Sequence, residues 1–318
     1  MLAVHLEHGR VSLRRRPLPR RPPGFALVRV LAAGICNTDL ELQRGYYGFR
    51  GSPGHEFAGE VVEADTPRLA GRRVTGEINL NCGRCDWCRR GLGRHCPRRA
   101  VLGIVRHPGA FAEYLTLPER NLHVLPARIR TEEAVFIEPL AAACEILDQV
   151  RLSKGGEVAV LGDGKLGLLI GQVLRAHGAH VIQYGHHREK LRLAAGWGLA
   201  TELSKPKMPA AAFDWVVEAT GSPEGLRAAV AMARPRGTVI LKSTVHDAVT
   251  IDTAPVVVNE VTLVGSRCGR FAPAIGLLRT GRVKVAEMIS GRVPLAAAPA
   301  AFRRAAEKGV LKVILEPG

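Results

Sequence analysis

The chain has 318 residues, 47% of them hydrophobic, and a formal net charge of +16 at pH 7. This length predicts about two domains, and no apolar run reaches the roughly 18 residues that a membrane span requires. The basic residues are scattered in pairs and triplets and only 5% of the residues are aromatic, which argues against nucleic-acid binding as the main function.

Short apolar runs separated by Gly and Pro turns occupy residues 1–130. Four of these runs have the length of β-strands: Ala26–Ala33, Ala58–Glu63, Ala112–Leu117 and Asn121–Leu125. Regular spacing of strands and turn signals is typical of antiparallel sheets. We therefore predict a mostly β, barrel-like domain in the first part of the chain.

Three separate segments contain residue types that bind metal ions. They are GICNTD with Cys36, Thr38 and Asp39, GHEFAGE with His55 and Glu56, and FIEPL with Glu138. A lone Cys is usually a small core residue, and a lone His is usually hydrogen-bonded. Together they offer a thiolate, an imidazole and carboxylates, which is the ligand mix of a catalytic Zn²⁺ with one open position. Pro139 biases Glu138 away from helical geometry, so that its carboxylate can point outward.

Four of the seven cysteines form a compact cluster: Cys82, Cys85, Cys88 and Cys96. An odd cysteine total without a visible secretion signal argues against a disulfide framework, and we expect a cytoplasmic location. Three thiolates at two-residue gaps can turn around one ion, and the fourth completes the tetrahedron of a structural Zn²⁺ site. An iron–sulfur cluster and a C-x-x-C redox pair are the alternatives.

From Thr131 the pattern becomes helical, with apolar residues at helical spacing through residue 150. Thr131 is the predicted N-cap, and Pro139 suits the first position of a second helix. Cys144 lies in an apolar part of this segment, where we expect it to pack in a core. The segment is predicted to lead into the next domain.

A glycine-rich turn follows a short buried strand, Glu157–Leu161. Gly162, Gly164 and Gly167 have the G-x-G-x-x-G spacing, and a helical pattern follows at once. The first glycine allows a sharp turn, the second lets the backbone approach a pyrophosphate, and the third lets helix and strand pack closely. A second strand at His180–Tyr184 follows at βαβ distance, so we predict a dinucleotide site that also includes Lys165 and Leu166.

Strands and helices continue to alternate up to residue 266. Further strands are predicted at Trp215–Ala219, Thr238–Lys242 and Val261–Val264. This rhythm is typical of an α/β fold with a doubly wound parallel sheet. The remaining elements are predicted as helices near Pro273–Arg279 and Ala296–Glu307 and a last strand at Val310–Leu315.

The residue at the end of the second strand of such a fold distinguishes NAD from NADP. An Asp or Glu there accepts the 2′-hydroxyl of NAD and repels a 2′-phosphate. Here Gly185 occupies the position, and His186, His187 and Arg188 follow it. The small residue makes room and the basic residues supply charge, which favours NADP. The alternative is that these residues merely open the next helix and NAD binds without an acidic partner.

GICNTD, GHEFAGEV, the four-cysteine segment, EPLA and GDGKLG follow one another in the order of a known family. Over nearly its whole length the chain resembles zinc-dependent medium-chain alcohol dehydrogenases, nearest the branch of sorbitol, threonine and glucose dehydrogenases. The resemblance implies a GroES-like catalytic domain at residues 1–145 with a zinc lobe at 80–97. It further implies a Rossmann domain at 146–270 and a C-terminal segment at 271–318 that packs back on these domains. Relatives assemble as homodimers or homotetramers.

The resemblance also implies roles for single residues around the catalytic zinc. Cys36 and His55 match its usual protein ligands. Glu56 matches a carboxylate that ligates or approaches the metal, and Glu138 matches the third ligand of the polyol branch. Glu56 and Glu138 can trade places with a water, so the resting ligand set stays open.

Further roles concern the proton and the cofactor. Thr38 resembles the hydroxyl that takes the substrate proton, and Asp39 resembles the carboxylate that orients the ligand His. The family often has a His at the position of Glu41, so either Glu41 continues the relay or the proton leaves another way. Thr220 and Gly221, in VEATGS, match the segment beside the nicotinamide.

The implied activity is hydride transfer between a polyol, sugar or secondary alcohol and a nicotinamide cofactor. NADP(H) is favoured over NAD(H) as that cofactor. Zinc would act as a Lewis acid on the substrate oxygen, and the cofactor would carry the hydride. The alternative is a family member that has lost its chemistry and acts as a binding or regulatory protein. The expected partner is a small molecule, with neither nucleic acid nor membrane.

Overall fold

The computed structural model describes residues 1–244 and 249–318, which form two compact units. Unit 1 joins Met1–Glu138 with Met288–Gly318, and unit 2 is the continuous segment Pro139–Glu287. The C-terminal part of the chain is thus shared between the two units. None of the helices in the described part of the chain combines the length and the hydrophobicity of a membrane span.

Unit 1 is built mainly from strands. The strands are β1 (Leu2–Glu7), β2 (Arg10–Arg15), β3 (Phe25–Gly34), β4 (Glu56–Glu63), β5 (Arg73–Gly76), β6 (Asn79–Leu80), β7 (Ala100–Leu102), β8 (Arg106–His107), β9 (Tyr114–Pro118), β10 (Leu122–Val124), β17 (Ile289–Pro294) and β18 (Lys312–Glu316). The helices are α1 (Asn37–Gln43), α2 (Asp86–Arg89), α3 (Thr131–Ala134) and α10 (Ala298–Ala305). The predicted mostly β, GroES-like domain is confirmed.

The main sheet of unit 1 runs in the order β10-β5-β4-β3-β18-β17, and β9 also pairs with β3. Only β17 and β18 pair in parallel; the other described pairs of this sheet are antiparallel. The central strand β3 buries most of its side chains because its sequence, FALVRVLAAG, is apolar at nearly every position. The last strand of the chain therefore pairs with the first long strand of the sheet.

Unit 2 is a parallel sheet with helices between its strands. The strands are β11 (Glu157–Leu161), β12 (His180–Gly185), β13 (Ala200–Leu203), β14 (Phe213–Glu218), β15 (Ala233–Leu241) and β16 (Thr262–Gly265). The helices are α5 (Lys165–His177), α6 (Arg188–Gly196), α7 (Pro223–Met232), α8 (Ala254–Val258) and α9 (Phe271–Arg279), after α4 (Ile137–Gln149), which spans the division between the units.

The sheet of unit 2 has the order β13-β12-β11-β14-β15-β16, with every described pair parallel. This is the doubly wound order, and it confirms the predicted Rossmann fold. The direction of winding reverses between β11 and β14, and ligands of such folds bind beside the carboxyl ends of strands at this point. Tyr184 and Phe213 pack edge to face, 6.2 Å apart, inside the core.

The ends of the helices in unit 2 follow from local chemistry. Helix α5 is terminated by its C-cap residue Gly178, whose φ of 106° is left-handed and is adopted most easily by glycine. At the start of α7, Ser222 accepts the backbone N–H of Gly225 at 3.0 Å, and Pro223 takes the first helical position.

Two local expectations around α3 and α4 were wrong. The residue that caps α3 is Arg130, and Thr131 is the first helical residue. Glu138 lies inside α4 although a proline follows it. Pro139 falls in the first turn of that helix, where its missing N–H has no intrahelical partner to lose. The usual bias against helical geometry in a residue before proline therefore does not hold at Glu138.

Candidate active site

Cys36, His55 and Glu56 meet in unit 1. The ligand atoms that they offer all lie within 4.8 Å of one another. Cys36 is the N-cap of α1 and lies two residues after the end of β3, and Glu56 is the first residue of β4. Because β3 and β4 pair antiparallel with Gly34 opposite Glu56, the end of one strand and the start of the next bring these side chains together.

Asp39 connects the two halves of this group. Its side chain is fully buried, and it accepts the backbone N–H of Cys36 at 2.8 Å and that of Gly54 at 3.2 Å. Asp39 Oδ1 also lies 3.5 Å from Nδ1 of His55. One carboxylate therefore positions both chain segments and faces the imidazole ring.

A buried ion pair lies beside these residues. Lys312, on β18, donates to Oε2 of Glu56, and both side chains are about 1% exposed. Gly34 provides the space, because a Cβ there would lie 2.6 Å from Oε2 of Glu56 and 3.1 Å from Cδ of Lys312. The Lys312 ammonium also lies 5.5 Å from the centre of the Phe136 ring, within cation–π distance.

Burial and neighbouring charges act in opposite directions on the pKa values of Lys312 and His55. Burial favours a neutral Lys312, but the Glu56 carboxylate and the Cys36 thiol outweigh it and raise the pKa of this lysine. Burial likewise favours a neutral His55, but Asp39 and Cys36 raise the pKa of His55 well above its usual value. A metal ion that binds here must displace the imidazole proton.

The donor set fits a Zn²⁺ ion. Among the described residues, the buried Oε1 atom of Glu56 has no hydrogen-bond partner. Buried polar atoms normally find partners, so an orphaned carboxylate oxygen in a group with a thiol and an imidazole is consistent with a bound cation. Three protein ligands of this kind leave one position for a substrate.

Three other residues that the sequence analysis assigned to the metal or the proton relay lie outside the group of Cys36, His55 and Glu56. The half-buried Glu138 is not a member of the group whose ligand atoms lie within 4.8 Å of one another. Thr38 is nearby, with its Oγ1 accepting from Sγ of Cys36 at 3.8 Å. Glu41 forms an ion pair with Arg44 on the more exposed part of α1.

The four clustered cysteines form a second group: Cys82, Cys85, Cys88 and Cys96. Sulfur–sulfur distances of 3.4 Å for Cys85–Cys88, 3.7 Å for Cys85–Cys96 and 4.0 Å for Cys82–Cys88 separate them. Zn–S bonds of about 2.3 Å in a tetrahedron give sulfur–sulfur edges of about 3.8 Å. The lobe, with α2 and the small sheet β6-β7-β8, therefore has the dimensions of a four-thiolate zinc site.

The lobe stabilises negative charge on one sulfur more than on another. Backbone N–H groups, that of Arg84 first, lower the pKa of Cys82 to about 6. The Arg98 guanidinium adds a hydrogen bond to this sulfur at 3.6 Å. Desolvation and the neighbouring Cys85 raise the pKa of Cys88 to about 11. A cation that binds all four sulfurs must therefore displace a proton from Cys88.

The predicted dinucleotide turn has the expected geometry in unit 2. Gly162 has a φ of 115°, and a Cβ there would lie 2.4 Å from the carbonyl oxygen of Ala219. A Cβ at Gly167 would lie 2.0 Å from the carbonyl oxygen of Gly162, so only glycine allows α5 to pack so closely. Gly164 has open space where its Cβ would be. Lys165 and Leu166 follow in the first turn of α5.

The turn after β12 holds a contact that the sequence analysis did not anticipate. Gly185 ends the strand, and His186 and Arg188 are exposed. Asp163, between the first two glycines of the turn, accepts the backbone N–H of His187 at 2.7 Å. The Nδ1 atom of His187 lies 3.0–3.1 Å from the two oxygens of Asp163.

Thr220 and Gly221 lie just beyond the end of β14, and the carboxylate of Glu218 organises them. Glu218 Oε1 accepts the backbone N–H of Thr220 at 2.7 Å, its hydroxyl at 2.6 Å and the N–H of Gly221 at 3.2 Å. The ends of β11, β12 and β14 thus carry all the predicted cofactor-binding residues of unit 2.

Sequence reasoning missed Lys312, Asp163 and Glu218 as parts of these sites, and it counted His187 only among the basic residues after Gly185. Each is a charged or titratable residue within or beside an apolar strand: VLKVILE, VLGDG, QYGHHRE and WVVEATG. A charge in such a place usually has a partner when it is buried, and this signal was available.

Cys144 is buried, as expected, and burial raises the pKa of its thiol to about 12.

Two family models match the chain. Residues 22–127 match the alcohol dehydrogenase GroES-like domain, and residues 166–280 match the zinc-binding dehydrogenase domain. The first match covers most of unit 1 and the second lies within unit 2.

Individual proteins resemble the chain over almost its whole length. D-altritol 5-dehydrogenase of Agrobacterium fabrum is 33% identical over 308 residues, which cover 91% of each chain. A zinc-binding dehydrogenase from Sinorhizobium meliloti 1021, solved bound to NADP, is 32% identical with a TM-score of 0.91, and 99% of each chain is covered. An alcohol dehydrogenase from Escherichia coli CFT073, solved with NADH, is 25% identical with a TM-score of 0.91 and the same coverage.

Proposed function

Because the chain belongs to the zinc-dependent medium-chain alcohol dehydrogenase family, an NAD(P)-dependent oxidoreductase family, we propose that it transfers hydride between a polyol and NADP. The observation that carries this proposal is the convergence of Cys36, His55 and Glu56 within 4.8 Å beside a buried lysine. A polyol, rather than a simple secondary alcohol, is proposed because D-altritol 5-dehydrogenase is similar over 91% of the chain.

In this proposal Cys36, His55 and Glu56 hold the catalytic zinc. A bound Zn²⁺ supplies a Lewis acid that polarises the substrate oxygen. Asp39 keeps His55 in place, and Lys312 fixes one oxygen of Glu56 while the other stays available. Glu138 is proposed as a fourth group that can exchange with Glu56 as a ligand. Cys82, Cys85, Cys88 and Cys96 are proposed to hold a second, structural zinc.

Thr38 is proposed to accept the substrate proton. Its hydroxyl lies 3.8 Å from Sγ of the metal ligand Cys36, which keeps it close to any oxygen that the metal would bind. Glu41 is held by Arg44. The proton is therefore proposed to pass from Thr38 to water and not through Glu41.

The nicotinamide cofactor is proposed to bind at the carboxyl ends of β11, β12 and β14. Gly162, Gly164, Lys165, Leu166 and Gly167 would cradle the pyrophosphate with backbone N–H groups at the start of α5. Thr220 and Gly221 would contact the nicotinamide end. NADP is favoured over NAD because Gly185 offers no strand-end carboxylate while His186 and Arg188 are exposed and basic.

A substrate panel tests this function. Polyols, sugars and secondary alcohols are assayed with NADP⁺ and NAD⁺ in parallel, and zinc is measured per chain. We expect about two zinc ions per chain and turnover of polyols with a preference for NADP⁺. Failure to oxidise or reduce any member of the panel by a zinc-loaded chain would support the alternative of a non-catalytic binding protein.

Substitution of a metal ligand separates the two zinc sites. Cys36→Ser should remove about one zinc ion per chain and abolish turnover while the cysteine lobe keeps its metal. Cys144→Ser, a matched change of a buried thiol outside both groups, should keep both zinc ions and near-normal turnover. Turnover that survives in Cys36→Ser would contradict the proposed active site.

A homodimer is proposed through unit 2. Strand β16 lies at one edge of the sheet and presents Leu263, which is 39% exposed. Val257 and Val258 on α8 are 73% and 78% exposed. A strand edge with apolar side chains beside it is suited to pairing with the same edge of a second copy.

A further inference from the structure

The carboxylate of Asp163 occupies an unusual place in unit 2. It lies between the first two glycines of the dinucleotide turn and is 6% exposed. A Cβ at Gly185 would lie 2.4 Å from Oδ2 and 2.6 Å from Cγ of Asp163. The Asp163 side chain therefore fills the space into which a side chain at the end of β12 would project.

A carboxylate in this space could itself accept a ribose hydroxyl, but here it already serves His187. Oδ2 accepts the backbone N–H of His187 at 2.7 Å. Both carboxylate oxygens also lie within 3.1 Å of Nδ1 on the same residue. These contacts set both the backbone position and the ring orientation of His187.

The Nε2 atom is the ring nitrogen that remains for another partner. The side chain of His187 is 23% exposed, so a ligand can reach it. His186 and Arg188 on either side are exposed. The turn after β12 thus combines one orientationally fixed imidazole with two freely exposed basic side chains.

We propose that Asp163 holds the His187 imidazole so that Nε2 binds the 2′-phosphate of NADP, which makes His187 the specificity-determining residue of this site. The inference rests on the proposed dehydrogenase function. An imidazole that donates from both ring nitrogens is protonated, with Nδ1 donating to Asp163 and Nε2 to the phosphate. A cation placed between two anions makes a charge-assisted hydrogen bond on each side. NADP would thereby be favoured by a fixed contact in addition to the surrounding positive charge.

Equilibrium binding of NADPH and NADH to the zinc-loaded full chain tests this role. Fluorescence titrations compare the wild type with His187→Gln, which keeps a polar side chain but cannot carry a positive charge. We expect NADPH affinity to fall about tenfold to a hundredfold, the effect of one hydrogen bond between charged groups, with NADH affinity changed less than about twofold. An equal loss of NADH affinity, or unchanged NADPH affinity, overturns the proposal.

A matched control lies on β12, the strand that leads into this turn. His180 is exposed at the opposite end of β12, and His180→Gln makes the same chemical change there. Both cofactors should bind this variant as they bind the wild type. A NADPH loss in His180→Gln as large as that in His187→Gln would show a general charge effect and overturn the specific role.

Asp163→Asn tests the anchor separately. The amide keeps the shape and can still accept the N–H of His187, but it no longer places a negative charge beside the imidazole ring. We expect weaker NADPH binding with NADH binding preserved. Weaker NADH binding with NADPH binding preserved or improved would mean that Asp163 reads the ribose hydroxyl, and this result overturns the proposal.

These measurements need no alcohol substrate, so they separate the inference from the proposed function. A wild-type chain that turns over polyols and prefers NADPH, while His187→Gln keeps that preference, contradicts the inference alone. A folded, zinc-loaded wild-type chain that binds neither nucleotide contradicts the dehydrogenase proposal and this inference with it.

Discussion

Glu56 and Lys312 place two opposite charges in the interior of unit 1, next to the proposed metal ligands. Each charge is tolerated there because the other is present, as the raised pKa of Lys312 shows. A buried ion pair adds little net stability compared with apolar residues, but loss of one partner leaves an uncompensated charge. The stability of unit 1 should therefore be sensitive to the loss of either charge of this pair.

Lys312→Met should destabilise the protein by about 3–5 kcal/mol because Glu56 would be left buried without its cation. Urea unfolding of the metal-free protein measures this, because a bound zinc would itself be a cation beside Glu56. The double variant Glu56→Gln/Lys312→Met should recover much of the loss, since neither charge remains. Lys308→Met, a change of an exposed lysine on the same part of the chain, should leave the free energy of unfolding nearly unchanged. A Lys312→Met protein as stable as the Lys308→Met control would contradict the buried pair.

Most single ligand residues could be predicted from the sequence because their types are informative by themselves. Cys36, His55 and the four lobe cysteines carry metal chemistry, and the structure brings them into two groups. Lys312 could not be assigned a role because it is more than 250 positions from Glu56, and only the pairing of β18 with β3 brings it near. The contact between Asp163 and His187 was missed because a hydrogen bond between two loops has no sequence pattern.

Two of the three glycines in the turn from β11 into α5 are needed for different physical reasons. Gly167 is needed for packing, because a Cβ there would collide with a backbone oxygen. Gly164 has open space around it and is needed, in our proposal, for the approach of the pyrophosphate. The same substitution should therefore have different effects at the two positions.

Gly167→Ala should lower the free energy of unfolding by roughly 1–3 kcal/mol, the usual cost of overpacking. Gly164→Ala should keep the stability of the wild type but weaken NADPH binding. Unfolding curves and nucleotide titrations on both variants measure the contrast. Equal loss of stability at both positions would show that Gly164 is also a packing residue.

The cysteine lobe is a second element whose stability depends on one small site. Cys88→Ser removes one of four thiols in a segment with little apolar core of its own, so about one zinc ion per chain should be lost and the melting temperature should fall. Metal analysis and thermal unfolding measure both effects, with Cys144→Ser as the control for zinc content. A Cys88→Ser protein with full zinc content and an unchanged melting temperature would rule out the four-thiolate site.

Sequence patterns predicted the buried elements better than the edges. Strand β11 has the predicted bounds because its apolar run is closed by a glycine turn, and β3 and β18 also lie where apolar runs do. Strand β13, at the edge of its sheet, was missed because its sequence ATEL is half polar and largely accessible to solvent. Strand β2 was missed for the same reason, since it is rich in arginine, and its buried partner β1 was missed with it.

At the scale of the whole molecule, the proposed dimer predicts a response to charge on one surface. Val258→Lys should raise the dimer dissociation constant roughly tenfold to a hundredfold, since a valine buried at an interface contributes about 1.5–3 kcal/mol. Sedimentation velocity measures the shift toward monomer. Val62→Lys, a change of an exposed valine in unit 1, should leave the assembly unchanged. Identical sedimentation of all three proteins would contradict assembly through α8 and β16.

The order of the chain has a consequence for how the protein can be made. Unit 2 is one uninterrupted segment, whereas unit 1 needs residues 288–318 to supply β17, β18 and Lys312. During translation, Cys36, His55 and Glu56 leave the ribosome long before the lysine that balances Glu56. The nascent chain must therefore carry its acidic and thiol-containing residues without their counter-charge until Lys312 has also been synthesised. Chaperones and free metal ions have their opportunity to act on unit 1 during that interval.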